Sequence, residues 1–183
     1  MVKVKKPKLL LHSCCAGCTA YVIQLLSKEY QVTSYFFNPN IHPDQEYKQR
    51  CQELKNYCKK TKAPFIEGEY QAEKWQQLTK GFEFEPEKGK RCLICYAMRL
   101  EKTAEHAKQN GFDFFATTLS VSPHKLADRI NQFGNKLAEL YGVKFYEADF
   151  KKQEGYKKAC AISKEENFYR QDYCGCSFSK RGT

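Results

Sequence analysis

The sequence predicts an α/β protein: a mostly parallel sheet flanked by helices, built as a single domain over residues 1–183. Three observations point there. Short runs of β-formers alternate with longer helix-patterned stretches along the chain. No repeat, low-complexity linker or composition break divides it. Its 183 residues, 42 % hydrophobic and 14 % aromatic, are enough for one sizeable core.

The elements follow in order. "KLLLHS" is a first strand that runs into a cysteine-bearing loop. "TAYVIQLLSKEY" is helical, with Ile23 and Leu26 at helical spacing. "QVTSYFFNPN" is a second strand, stopped by Pro39. Pro43 and Asp44 open the polar helix "HPDQEYKQRCQELKNYCKKTK". "APFIEGEY" is a third strand and "QAEKWQQLTKG" a helical turn or two. "RCLICYAMRLEKTAEHAKQNG" is a helix ending at Gly111, with Ala97, Leu100, Ala104 and Ala107 on one stripe. "FDFFATTL" is a fourth strand. "SPHKLADRINQFGNKLAELYG" carries Leu126, Ile130, Phe133, Leu137 and Leu140 on one face and stops at Gly142. "VKFYEADF" is a fifth strand, and the remainder is helical until the cysteine-rich tail.

In parallel sheets ligands sit beyond the carboxyl ends of the strands. The loops "HSCCAGC", "NPNIHP" and "TTLSVSPHK" each follow a strand. They are expected to share that edge, and the cysteines of the two chain ends to meet there.

Lys and Arg outnumber Asp and Glu by 31 to 21, a formal charge of +10 that suits a polyanionic partner. No apolar run is long enough to span a bilayer. The apolar stretch near the start is too short for a signal peptide, so a cytosolic, cytoplasmic protein without a membrane partner is expected. In that reducing compartment ten cysteines point to metal binding or redox chemistry rather than structural disulfides.

Cys92 and Cys95 lie three apart at the start of a helix, on one face and near a thiolate-favouring terminus. That motif alone fits a redox pair, half a zinc site or part of an iron–sulfur site. The neighbours Cys14 and Cys15 are poorly placed to chelate one ion together and suit two centres side by side. Cys174 and Cys176 flank Gly175, which allows a tight backbone path. With Cys18 close behind, the motifs supply seven cysteines, more than the roughly four thiolates one zinc or one cubane needs. Two linked metal sites are the economical reading. Cys51, Cys58 and Cys160 are expected to be small core hydrophobes. His12, His42 and His124 fall in strand-end loops as candidate ligands or proton donors. Asn38, Asn40, Glu46, Tyr47 and Arg50 read as a polar, ligand-holding surface, and His106 is given no role.

Four segments together resemble the QueH type of epoxyqueuosine reductase: "LLLHSCCAGC", "YFFNPNIHPDQEYKQR", "RCLICYAMRLEKTAEHAKQNGFDFFATTLSVSPHK" and "ADFKKQEGYKKACAISKEENFYRQDYCGCSFS". They cover nearly the whole chain. The resemblance implies a Rossmann-like architecture related to the ATP-pyrophosphatase/HUP-type fold of tRNA-modifying enzymes. The Ser-Gly-Gly phosphate signature of the ATP users is missing here, so no ATP is expected. It implies reduction of the epoxide of epoxyqueuosine, at the tRNA wobble position, to the alkene of queuosine, without cobalamin. The implied cofactors are a [4Fe-4S] cluster and an additional mononuclear iron. Cys14, Cys15, Cys92, Cys95, Cys174 and Cys176 are the expected ligands, with Cys18 a seventh candidate; their division between the centres stays open.

A proton donor is required, and His12, His124 and Tyr173 are the candidates. The implied partners are tRNA carrying epoxyqueuosine and an electron donor of unknown identity. Lys125, Arg129, Lys151, Lys152, Arg170, Lys180 and Arg181 are expected at the rim, near the phosphates of the RNA. Two departures stand out. Gly17 replaces a proline common in relatives, which is expected to loosen the loop, and Ala159 replaces a serine. Two other functions account for fewer of these features: a zinc-stabilised tRNA-binding module, and a thiol–disulfide oxidoreductase using Cys92 and Cys95.

Overall fold

The structure, a computed structural model, describes residues 5–180; Arg181 of the expected rim lies outside the described residues. A parallel five-stranded sheet forms the centre, in the order β3-β2-β1-β4-β5. The strands are β1 (Lys8–His12), β2 (Gln31–Phe36), β3 (Phe65–Glu67), β4 (Phe114–Thr117) and β5 (Lys144–Phe145). The helices are α1 (Ala16–Leu26), α2 (Asp44–Thr61), α3 (Ala72–Thr79), α4 (Lys90–Gln109), α5 (Ala127–Tyr141) and α6 (Gly155–Glu165).

The run Leu9-Leu10-Leu11 shows why both faces are covered. Successive strand side chains point to opposite faces. Leu9 and Leu11 meet Ala20, Ile23 and Leu26 of α1 and Leu54 of α2, whereas Leu10 meets Cys95, Met98 and Ala104 of α4. All three leucines are fully buried, as expected of a central parallel strand.

Strand order reverses between β1 and β4: the chain builds outward from β1 to β3, then crosses back to place β4 on the other side. A crevice opens at such a switch point, outside the carboxyl ends of the strands. His12 pairs in register with Tyr35 on one side and Thr117 on the other. The loops after β1, β2 and β4 therefore leave the sheet together.

Several expectations change in detail. The fifth strand is two residues long instead of eight, although Tyr146 N–H still donates to the Phe115 carbonyl at 2.8 Å. Helix α5 starts at Ala127, so "SPHK" is loop. Leu140 is 70 % exposed and leaves the core stripe, because α5 seats instead on Ile130 and Gly134. A Cβ at Gly134 would lie 2.3 Å from the Phe145 ring, so the ring occupies the space a side chain would need. Gly17 is also corrected. It lies inside α1, where a Cβ would come within 2.0 Å of Ser163 Oγ, so it lets α6 pack close rather than loosening a loop.

Candidate metal centre

The sulfur-bearing loops converge on the crevice because each follows, or is tied to, a central strand. Cys14 and Cys15 follow β1 after Ser13, and Cys15 is the residue that precedes the first turn of α1. Cys92 and Cys95 lie in the first turns of α4. Two helix N-termini, which favour anions, thus carry two of the three cysteine motifs.

The third motif is brought in by stitching of the tail. Arg50 donates to the Tyr173 carbonyl at 3.1 Å, and Asn40 Nδ2 to the Cys174 carbonyl at 3.4 Å. His42 N–H donates to the Gly175 carbonyl at 2.8 Å, and the Tyr173 hydroxyl donates to the His42 carbonyl. Beneath them a buried ion pair, Glu46 with Arg50 at 2.6 Å, also receives the Tyr169 hydroxyl on Glu46 Oε2 at 3.0 Å. Gly175 has φ +103°, and a Cβ there would sit 2.7 Å from Ile41 Cγ1. Both facts require glycine. Gly175→Ala is therefore expected to push Cys174 and Cys176 out of place, lowering metal retention more than thermal stability; parallel metal analysis and melting curves check this.

Cys14, Cys15, Cys18 and Cys174 line a cavity of about 310 Å³. Behind its wall Cys95, Cys174 and Cys176 belong to one packed cluster. Cys92 Sγ accepts the Lys88 N–H at 3.3 Å, and Cys14 Sγ lies 3.8 Å from Thr118 Oγ1. The neighbouring Cys15 thiol, then burial, push Cys14 well above the usual thiol range. For Cys15, Cys14 works to lower the pKa, but Cys18 and burial outweigh it and push it up to about 12. Cys174 goes the other way. The Cys176 thiol beside it, the Lys125 ammonium and the Ser179 hydroxyl at 3.0 Å hold it down as a thiolate. Among the described residues, no three His, Cys, Asp or Glu side chains are already gathered as a chelate. The donor set nonetheless fits iron–sulfur chemistry: Cys14, Cys15, Cys18 and Cys174 line the cavity, Cys95 and Cys176 pack with Cys174 beside it, and the buried Arg99 and Lys125 are close by.

The other expected residues divide. Arg50, His124, Lys125 and Tyr173 line the cavity, and Arg170 lines a smaller one of about 100 Å³ on the far side of Cys15 and Cys18. His12 does not fit a proton donor. It is fully buried, its Nε2 donates to the Phe37 carbonyl at 3.0 Å, and its Nδ1 meets Thr117 Oγ1 at 3.0 Å. Burial, with Arg99 nearby, lowers its pKa to about 3 and keeps it neutral. Tyr173 donates its hydroxyl proton to the His42 carbonyl, whereas His124 lines the cavity and is exposed.

Asn38 and Asn40 are buried loop ties, the former donating to the Ser13 carbonyl at 2.8 Å. Glu46 and Tyr47 are likewise buried behind the wall. Cys51 and Cys58 are core as expected, but Cys160 is half-buried and lines the smaller cavity. Of the cations expected at the rim, Lys151 is tied to Asp149 at 2.8 Å, while Arg129, Lys152, Arg170 and Lys180 are exposed; none of them lines the larger cavity. The sequence reading missed Glu87, 3.6 Å from Lys125, and Arg99, buried one helical turn after Cys95. The i, i+4 spacing from Cys95 was the available signal for Arg99.

Residues 9–182 match the family described as epoxyqueuosine reductase QueH. The chain belongs to the epoxyqueuosine reductase QueH family. It is 44 % identical to the Haemophilus influenzae epoxyqueuosine reductase QueH, over 95 % of this chain and 72 % of that one. The Acinetobacter baylyi QueH is 41 % identical, over 100 % and 86 %. The Thermotoga maritima QueH is 37 % identical, over 93 % and 89 %. Among solved structures, the U34-tRNA thiolase NcsA from Methanococcus maripaludis with its [4Fe-4S] cluster superimposes with a TM-score of 0.61 at 12 % identity. The match covers 98 % of this QueH-family chain, which spans 63 % of the thiolase, and it shows a shared fold.

Proposed function

We propose that this protein reduces the epoxide of epoxyqueuosine in tRNA to the alkene of queuosine, with iron centres held by its cysteines. The observation that carries the reading is that cysteines of two motifs line one cavity at the switch point while Cys95 of the third packs with Cys174 and Cys176 beside it, in a chain of the epoxyqueuosine reductase family. The reaction takes two electrons and two protons, and the epoxide oxygen leaves as water. A [4Fe-4S] cluster, when bound, supplies electrons one at a time, and a further iron supplies a Lewis acid for the epoxide oxygen.

Cys14, Cys15, Cys92, Cys95, Cys174 and Cys176 are the ligands of this proposal, with Cys18 available to the further iron. His124, which lines the cavity, is the proton donor of this proposal. Tyr173 keeps the tail in place. A wobble base must leave the anticodon stack to reach a recessed cavity. Tyr156, which lines the cavity, and Tyr169, which lines the smaller one beside it, are exposed and offer stacking faces. Arg170 and Lys180 are exposed for the flanking phosphates, with Lys180 Nζ 5.1 Å from the Tyr173 ring centre. Replacing Arg170 and Lys180 by alanine is expected to weaken tRNA binding and lower the salt slope by about 2, one for each phosphate contact. Iron content should not change.

The proposal is tested in cells that lack epoxyqueuosine reductase. Expression of this protein should convert epoxyqueuosine to queuosine in their tRNA, read by nucleoside mass spectrometry. Persistent epoxyqueuosine, despite soluble protein, would overturn it. Anaerobically purified protein should be brown, with iron and sulfide beyond one cluster; colourless protein holding zinc would favour a binding module without redox activity.

A further inference from the structure

Arg99 is 3 % exposed, and Lys125 is 8 % exposed. Arg99 donates through Nε to the Cys95 carbonyl at 3.2 Å. Among the described residues no carboxylate lies within ion-pair distance of it. Its electrostatic neighbours are the Tyr96 hydroxyl and one thiol from each motif: Cys95, Cys14 and Cys174. Lys125 lines the cavity with Cys14 and Cys174, its Nζ 3.6 Å from the half-exposed Glu87.

Burying a cation without an anion costs several kcal/mol, and one backbone hydrogen bond offsets only part of that. Arg99 is buried with no carboxylate partner among the described residues, and Lys125, paired only with the partly exposed Glu87, faces Cys14 and Cys174 across the same cavity, so the centre is built to take more negative charge than its carboxylates provide. A thiolate-bound iron–sulfur cluster carries that charge, and gains more on reduction.

We infer that Arg99 and Lys125 are positioning residues that set the reduction potential of the centre, stabilising its reduced form from within the protein interior. The inference rests on the iron–sulfur reading above. A positive charge held close in a medium of low polarisability acts on the whole cluster, whichever cysteine binds which iron. Removing it favours the oxidised form and makes reduction harder. A purely structural role for Arg99, such as tying the first turns of α4, would leave the potential where it is.

The test is a dithionite titration of the anaerobic holoprotein, followed by EPR. Arg99→Met is expected to raise the oxidised-to-reduced ratio about tenfold at a fixed potential, a shift of about 59 mV downward for one electron. Arg99→Lys, which keeps the charge, should stay close to the parent protein. If Arg99→Met binds no cluster, Lys125→Met decides, and it should shift the same way. A loaded variant with unchanged potential overturns the inference while leaving the function standing. A parent protein without iron and sulfide overturns both.

Discussion

Cys14→Ser is expected to leave a folded protein that retains little iron and has lost turnover. Its thiol lies at the end of the central strand, on the cavity wall and beside Thr118. Serine keeps the size and the hydrogen bond but not the soft, ionisable sulfur that iron needs. Losing a direct ligand should cost at least about 100-fold in metal affinity or activity, the upper range for residues one shell further out. Cys51→Ala is the control: Cys51 is buried in the other core cluster, against α1 and β2, and its iron content should match the parent's. Metal and sulfide analysis of both variants, alongside circular dichroism, separates ligand loss from misfolding.

Glu46→Gln is expected to have the largest effect on stability. Its partner Arg50 has a side chain only 2 % exposed and would be left as an uncompensated buried cation. Breaking such a pair costs about 3–5 kcal/mol. For a chain of this size that corresponds to a melting temperature lower by roughly 6–20 °C. The variant also weakens the hold on Tyr169, whose hydroxyl donates to Glu46, and through Arg50 on the Tyr173 carbonyl. Iron retention should fall with it, because Cys174 follows next in the chain. Replacing both members, Glu46→Leu with Arg50→Met, should recover much of the stability. It should not recover iron retention, since the anchor for the tail is still missing. Thermal melts of the metal-free proteins, compared with iron content after reconstitution, check both parts.

The alternation of strands and helices was legible because Leu9-Leu10-Leu11 and the stripe of Leu100, Ala104 and Ala107 are buried as their periodicities demand. The sharing of one edge by three loops followed from parallel topology alone. Other features depend on tertiary packing and leave weaker marks. Leu140 continues the apolar spacing of α5, but Gly134 and the Phe145 ring decide which face seats on the sheet.

Polar loop residues were the hardest to read. Asn38 and Asn40 have the chemistry of a binding surface, and each donates its amide Nδ2 to a loop carbonyl, Ser13 or Cys174, while its buried Oδ1 has no partner among the described residues. His12 has the residue type of a proton donor, but its place in the middle of the sheet commits both ring nitrogens. Arg99 shows the converse. One arginine in a charged helix reads as solvent-facing until the packing of α4 on β1 places it beside three thiols.

The central claim is that thiol-held iron in this cavity performs a two-electron epoxide reduction. The measurement that tests it most directly is anaerobic turnover of tRNA bearing epoxyqueuosine by the purified, iron-loaded protein with a chemical reductant, followed by digestion and nucleoside mass spectrometry. The account predicts loss of one oxygen, with queuosine appearing as epoxyqueuosine disappears, and no conversion by Cys14→Ser protein. Unchanged epoxyqueuosine from protein shown to contain iron and sulfide and to bind the tRNA would contradict it.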